Sequence, residues 1–102
     1  MDVPERWREY SCEEYFYDGW SERGHLDERS QTWVIHALAE AYEEAEFEFF
    51  AVGRSGWDGI DFGYRKGHTG LWAFYPIDCE FKFMASTVTE LVEAWCSSRL
   101  NV

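Results

Sequence analysis

The chain has 102 residues, a length that fits one domain, and its hydrophobic fraction of 46% is ordinary for a globular protein. Its formal net charge is −11, from 20 acidic and 9 basic side chains. A field of that sign repels phosphate backbones and anionic lipids and attracts basic proteins, so it argues against direct nucleic-acid or membrane binding.

The cysteines and the first residues predict a reduced, cytoplasmic protein. Cys12, Cys79 and Cys96 show no C-x-x-C spacing, so neither a disulfide framework nor a zinc site is indicated. Residues 1–10 have no apolar signal-peptide core, and no run approaches the roughly 18 apolar residues of a membrane span.

The first half of the chain is predicted to form two helices. Pro4 suits a first helical turn, because its missing N–H would have no partner there, and residues 5–18 are expected to continue that helix. Asp27 or Ser30 is the candidate N-cap of the second helix, whose apolar residues recur with a 3.6-residue period. These residues are Val34, Leu38, Ala41, Tyr42 and Ala45.

The second half is predicted to form an antiparallel meander followed by a helix. The expected strands are residues 47–52, 60–65, 71–75 and 80–84, joined by short connections. Thr87-Val88-Thr89-Glu90 matches a capping box at the start of the last helix. We therefore expect an α+β fold in a single domain, 1–102: an antiparallel sheet of about four strands packed against N-terminal helices and a C-terminal helix.

The segment of residues 53–65 is the most informative motif in the chain. Its glycines permit positive φ and close approach of the backbone, and Asp-Gly is typical of turns. It is not a phosphate-binding loop, since G-x-x-x-x-G-K-[ST] is absent and no helix pattern follows. The loop is either a turn alone or a binding loop. Its candidate residues are Gly53, Gly56, Asp58, Gly59 and Asp61.

Three motifs together resemble the core of the SUKH superfamily. They are G-x-D-G-I-x-F-G-Y-R at residues 56–65, G-L-W-A-F-Y-P-I at residues 70–77 and A-S-T-V-T-E-L-V at residues 85–92. The resemblance covers about residues 47–97. That superfamily includes yeast cell-wall regulators and many bacterial immunity proteins that neutralise polymorphic toxins. The resemblance implies a sheet packed against helices, no catalytic residues, and protein binding as the activity.

The residues suited to catalysis or metal binding are few and scattered. His25, His36 and His68 show no H-x-x-x-H spacing, and no G-x-S-x-G motif occurs. Asp58 and Asp61 alone supply too few oxygen ligands for calcium. We therefore predict no catalytic residue, no metal site and no cofactor, and expect that the protein is not an enzyme.

Nearly all of the negative charge lies in the first half of the chain. Residues 1–50 carry fourteen acidic and four basic side chains, whereas residues 51–102 carry six and five. On a helix, Glu40, Glu43 and Glu44 would share one face and repel each other by a few tenths of a kcal/mol per pair. This face is either merely solvated or a binding site for a positive partner. The candidate partner-binding residues are Glu40, Glu43, Glu44, Glu46 and Glu48, with Trp20 and Trp57 as aromatic anchors.

The leading hypothesis is a bacterial immunity-type protein that blocks a basic partner, such as a nuclease toxin, by steric occlusion and charge complementarity. One alternative is a phage-type mimic of nucleic acid that inhibits a DNA-binding protein with the same acidic face. Another is a small-ligand or metal-binding protein that uses the loop containing Asp58 and Asp61. The sequence leaves the identity of the partner and the oligomeric state open.

Overall fold

A computed structural model describes residues 3–28, 31–55 and 59–96, except for the side chain of Cys96. This part of the chain has an α+β fold, as the sequence predicts. Its helical elements are η1 (Glu5–Tyr10), α1 (Glu13–Tyr17), α2 (Trp20–Arg23), η2 (Leu38–Glu40), η3 (Ala45–Phe47) and α3 (Val88–Cys96), where η marks a 3₁₀ helix. Its strands are β1 (His25–Asp27), β2 (Thr32–Ile35), β3 (Tyr42–Glu44), β4 (Phe49–Arg54), β5 (Asp61–Arg65), β6 (Leu71–Tyr75) and β7 (Glu80–Ala85).

Within these residues the strands form two antiparallel sheets. β1 and β2 make a hairpin, and β3 to β7 make a five-stranded sheet in which each strand pairs with its neighbour in sequence. The predicted meander is therefore confirmed, and β6 has the predicted bounds. The predicted number of strands was too low, because β3 adds an edge strand to the main sheet and the hairpin forms a second sheet.

The predicted second helix is wrong. Residues 34–45 instead contain the end of β2, the short η2 and the edge strand β3. Thr32, Trp33, Val34 and Ile35 are β-branched or aromatic residues, which favour strands, and β2 pairs with β1. The backbone N–H of His36 donates to the carbonyl oxygen of Val52 at 2.6 Å, which joins this segment to β4. Tertiary pairing therefore overrides the helical period of the apolar residues.

The predicted first helix is divided into two pieces. Ser11, with φ of 53°, is in the left-handed region and ends η1 before α1 begins. The break turns both pieces toward the sheet, where Trp7, Tyr10, Tyr15 and Phe16 are all buried. The helical nature of this region is confirmed, and its continuity is not.

The main core lies between these helices and one face of the five-stranded sheet. Its centre is Phe50 of β4, which is fully buried. The ring of Trp7 stacks on that of Phe50 at 3.8 Å between centroids, with an interplanar angle of 7°. Val88, Leu91 and Val92 of α3 belong to the same cluster, so the C-terminal helix packs on this face too.

The hairpin is held against β4 at a position that only glycine permits. A Cβ atom on Gly53 would collide with the carbonyl group of Val34. The register between β4 and β5 also shifts between Ala51 and Gly53, so the end of β4 is turned toward β2. Gly53, predicted as a loop residue, is therefore a buried strand residue at the contact of the two sheets.

The N-terminus of α3 is capped partly by its own residues and partly by α1. Glu90 donates its backbone N–H to Thr87 Oγ1 at 3.0 Å, which is one half of the predicted capping box. The N–H of Val88 donates to Glu14 Oε1 at 2.5 Å, and that of Thr89 to Glu14 Oε2 at 3.3 Å. A carboxylate from the other end of the chain thus satisfies helix donors that would lack partners.

No helix among the residues described is long and apolar enough to cross a membrane.

The cap formed by Glu14 makes a testable contribution to stability. We expect Glu14→Ala to lower the free energy of unfolding by about 1 to 2 kcal/mol, because it leaves the N–H groups of Val88 and Thr89 without their acceptor. The matched control is Glu13→Ala, since Glu13 is exposed and lies next to it in α1. Urea denaturation of the two variants measures the difference, and equal losses would contradict the cap.

Candidate protein-binding surface

The acidic residues singled out in the sequence do not share a helix face. Glu40 is an exposed residue of η2, Glu43 and Glu44 lie side by side in β3, and Glu46 and Glu48 are exposed in and just after η3. Because successive strand residues point to opposite faces, Glu43 and Glu44 point apart. The expectation of one row of mutually repelling glutamates is therefore wrong.

Glu43 is directed toward the helices and is already partnered. It accepts a hydrogen bond from the hydroxyl of Tyr10 at 2.6 Å and lies 3.6 Å from the guanidinium of Arg6. Lys66 likewise lies 3.1 Å from Glu9 and 3.9 Å from Glu48. Arg6 and Lys66, which are distant in sequence from Glu43 and Glu48, thus form ion pairs with them. These ion pairs partly relieve the repulsion among the glutamates.

The carboxylates around Tyr10 disfavour its ionised form. The pKa of Tyr10 is raised by burial first, then by its hydrogen bond to Glu43, and further by the charges of Glu43, Glu48 and Glu9.

Glu44 pairs with Phe49 in the register of β3 and β4, so it points to the opposite face of the sheet from Glu43. We call Glu40, Glu44 and Glu46 the acidic edge: Glu44 lies in β3, and Glu40 and Glu46 lie in the short helices on either side of it.

Of the two tryptophans predicted as exposed anchors, Trp20 does not fill that role. Trp20 is half-buried and packs against the main core, and its Nε1 has no hydrogen-bond partner among the described residues. Trp57 lies outside the described residues, as do Gly56 and Asp58.

Asp61 is a structural carboxylate at the start of β5. It is only 6% exposed, and it accepts a hydrogen bond from the hydroxyl of Tyr42. Its other oxygen lies 3.7 Å from Nε of Arg54. Gly59 is exposed, with φ of 73°, as expected for a turn. Among the residues described, no group of three or more His, Cys, Asp or Glu side chains is arranged to hold a metal ion.

His36, His68 and Cys12 lie in different environments. His36 is half-buried, and its pKa is lowered by burial and by the charge of Arg54. His68 is exposed. The Cys12 thiol is buried and donates to the carbonyl oxygen of Trp7 at 3.2 Å, and burial raises its pKa to about 12. Because the thiolate is the reactive form, Cys12 is a packing residue at neutral pH.

The second face of the five-stranded sheet carries a cluster of rings that the sequence reasoning missed. Its residues come from strands and from η3, and no helix of the α class contributes to it in the residues described. We call this surface the aromatic face. It consists of Tyr42, Phe47, Phe49, Ala51, Trp72, Phe74 and Phe81, with Phe83 in edge-to-face contact with Trp72 at 5.4 Å.

The aromatic face is ordered by polar contacts around Trp72. The indole N–H of Trp72 donates to the carbonyl oxygen of Thr69 at 3.0 Å. The guanidinium of Arg65 lies 4.7 Å from the centroid of the Trp72 ring and 4.1 Å from that of Phe81. Cation–π contacts of this kind are worth about 0.5 to 2 kcal/mol. The rings are therefore held in one arrangement.

Phe83 marks the solvent-facing border of the aromatic face. It is 50% exposed and lies in the edge strand β7. The signal in the sequence was the alternation of aromatic residues in two neighbouring strands: Trp72 with Phe74, and Phe81 with Phe83. Since β6 also carries apolar residues between its rings, the sequence indicated apolar character on both faces of the sheet.

Comparison with known proteins finds no relative of this chain. No protein-family model matches the chain, and neither the curated proteins nor the solved structures give a match.

The buried tyrosines predict how stability depends on alkaline pH. The pKa values of Tyr10, Tyr15, Tyr42 and Tyr64 are all raised, chiefly by burial. Unfolded tyrosine ionises near pH 10, so above that pH the unfolded chain binds fewer protons than the folded chain and stability falls as pH rises.

We therefore expect these four tyrosines to ionise only as the protein unfolds. Tyrosinate absorbance and far-ultraviolet circular dichroism, followed together from pH 9 to pH 12, measure this coupling. Tyr42→Phe should make the loss of stability above pH 10 less steep by one proton. Full ionisation of the four tyrosines while the circular dichroism stays native would contradict the burial described here.

Proposed function

We propose that the protein is a non-catalytic binding domain that recognises a basic protein through the aromatic face and the acidic edge beside it. The observation that carries this proposal is a sheet face rich in rings, which no α-helix of the described residues packs against. Phe49 and Phe74 at the middle of this face are buried, whereas Trp72 and Phe81 are half-buried and Phe83 is 50% exposed. Exposed apolar surface on a soluble domain typically marks an interaction site, so the candidate contact lies at the rings of β6 and β7 that reach solvent. Aromatic residues are also enriched among the residues that supply most of the binding energy at protein interfaces.

The size of the surface fits a protein partner. Five strands at a spacing of about 4.8 Å span about 19 Å, and the six residues of β7 at about 3.4 Å each span about 20 Å. The outline of this sheet face is therefore roughly 400 Å², and its exposed apolar area is smaller, because Phe49, Ala51 and Phe74 are buried. A stable interface takes about 800 Å² from each partner. A partner must then extend past the exposed rings, and the acidic edge on β3 borders the same face of the sheet.

Charge indicates which kind of protein this partner is. Glu44 points to the same side of the sheet as the rings, and Glu40 and Glu46 are exposed beside it. The chain as a whole carries −11. Long-range attraction then speeds the encounter with a basic protein, whereas the rings supply the affinity once contact is made. Glu43 is left out of this role, because it is occupied by Tyr10 and Arg6.

The specific form that we propose is a bacterial immunity-type protein, acting in the cytoplasm on a basic toxin such as a nuclease. The SUKH-like motifs support this form, as does the requirement that a nuclease bind phosphates with basic residues. Occupation of the toxin's basic surface would exclude its substrate. A phage-type mimic of nucleic acid would rely on the carboxylates instead and would leave the rings outside the interface.

The exposed ring of Phe83 is the position that tests the aromatic face. A photo-crosslinking amino acid at position 83, expressed in the cells that make the protein, should capture a basic protein, whereas the same group at Tyr17 should not. Tyr17 is the matched control because it is an aromatic residue in α1 and is 58% exposed. With the captured partner purified, we expect Phe83→Ala to weaken binding at least about tenfold, or 1.4 kcal/mol, and Tyr17→Ala to leave it unchanged.

A charge control separates the immunity proposal from its rivals. Glu44→Lys with Glu46→Lys should lower the association rate at low salt, whereas Glu13→Lys with Glu22→Lys changes the net charge equally and should have the smaller effect. Loss of binding with the first pair but not with Phe83→Ala would favour the nucleic-acid mimic. Equal affinity for Phe83→Ala and the native protein would overturn the role of the aromatic face.

A further inference from the structure

A cavity of about 460 Å³ lies beside the hairpin, apart from the rings of the aromatic face. It opens between α2, β2, η2 and the end of β4. Its lining residues are Arg23, Trp33, His36, Ala37, Glu40 and Arg54. Sites for small molecules typically have volumes of about 300 to 1,000 Å³ and combine an apolar wall with a few placed polar groups. This cavity meets both criteria.

The lining of the cavity contains two arginines, Arg23 and Arg54, and one carboxylate, that of Glu40, in a chain with only 9 basic side chains. Arg54 forms an ion pair with Asp61 at 3.7 Å. Arg23 donates to the carbonyl oxygen of Asp18 at 3.1 Å and has no carboxylate partner among the residues described. Within that part of the chain Arg23 therefore forms no ion pair, and its guanidinium lies 5.9 Å from the centroid of the Trp20 ring. A guanidinium presents its donors as a planar fork, which matches the oxygens of a carboxylate or phosphate.

The indole of Trp33 supplies a flat apolar wall beside these cations. Trp33 is 46% exposed, although its neighbours Val34 and Ile35 in β2 are fully buried. A large ring left half in water at the lining of a cavity offers a surface on which another planar ring can stack. Cationic and aromatic recognition groups are thus combined at one place.

The walls of the cavity are held rigidly around His36. Its N–H donates to the carbonyl oxygen of Val52, and its own carbonyl oxygen accepts from the hydroxyl of Tyr15, both at 2.6 Å. A Cβ atom on Gly24 would lie 2.6 Å from the carbonyl oxygen of Ile35, so α2 approaches this segment as closely as the backbone allows. A site that is formed before binding loses less free energy when a ligand orders in it.

We propose that this cavity binds a small organic anion that carries a planar ring, with its phosphate or carboxylate on Arg23 and Arg54 and its ring on Trp33. A small anion responds mainly to the nearest charges, because charges beyond a Debye length of about 8 Å are screened at physiological salt. A nucleic acid would instead meet the acidic surface along its whole length. The cavity shares Glu40 with the acidic edge, and its Arg54 is linked through Asp61 to Tyr42 of the aromatic face. The test below uses small molecules and no protein partner, so its outcome is read separately from that of the proposed function.

Nuclear magnetic resonance of the indole N–H groups tests the proposal. The Trp33 signal is assigned by its disappearance in Trp33→Phe, and the probes are adenosine monophosphate, phenyl phosphate, benzoate, adenosine and inorganic phosphate. We expect saturable shifts of the Trp33 signal with the ring-bearing anions, and dissociation constants at least tenfold larger for adenosine and for inorganic phosphate. A preference between phenyl phosphate and benzoate identifies the anionic group that the site takes.

Variants locate the site on the cavity. Arg23→Gln and Trp33→Ala should each weaken binding of the best probe at least tenfold, with an unchanged circular dichroism spectrum. Arg8→Gln is the matched control, since Arg8 is an exposed arginine of η1 that does not line the cavity. The proposal is overturned if no ring-bearing anion shifts the Trp33 signal, if Arg23→Gln binds as tightly as the native protein, or if inorganic phosphate alone binds equally well.

Discussion

The ring of Phe50 joins the helices to the sheet, and the rest of the structure depends on that contact. Besides the stacked ring of Trp7, it touches Tyr10 and Tyr15 edge-on at centroid distances of 5.9 and 5.8 Å. These rings come from η1 and α1, so one strand residue draws the N-terminal helical elements to the same side of the sheet. Because α3 also packs on this side, the α-helices of the described residues all lie on the same face of the sheet. The alternate residues of β4, Phe49 and Ala51, are buried on the other side, where strands and η3 alone cover them. The aromatic face is therefore a consequence of how the helices are distributed.

The second half of the fold could be predicted from the sequence because its signals are local. Strands β5 to β7 follow one another through short connections, and Thr87 begins a helix with a recognisable cap. The first half could not be predicted in the same way, because its structure is determined by residues distant in sequence. The apolar residues from Val34 to Ala45 do have a helical period, but the close approach of β2 to β4 at Gly53 fixes an extended chain. The helical period of these residues does not show that Gly53, nineteen residues after Val34, leaves room for the close approach of β2.

The candidate site was predicted in part. The local excess of glutamates is visible in the sequence, and Glu44 does point to the aromatic face, with Glu40 and Glu46 in the short helices on either side of β3. The pairing of Glu43 with Tyr10 could not be foreseen, because it depends on β3 being a strand. The choice of aromatic anchors was wrong for Trp20, which packs on the core, since exposure of a ring depends on tertiary packing and not on its own segment. The cavity beside Trp33 could not be predicted from the sequence either, because its two arginines come from elements distant in sequence, α2 and β4.

Hydroxyl-radical footprinting of the free protein and of its complex with the captured partner tests whether the sheet face opposite Phe50 is a binding surface. We expect oxidation of Trp72, Phe81 and Phe83 to fall in the complex, whereas oxidation of Tyr17, on α1, stays as it is in the free protein. Protection of Tyr17 with unchanged oxidation of the three rings would place the partner on the helical side and contradict this role of the sheet face.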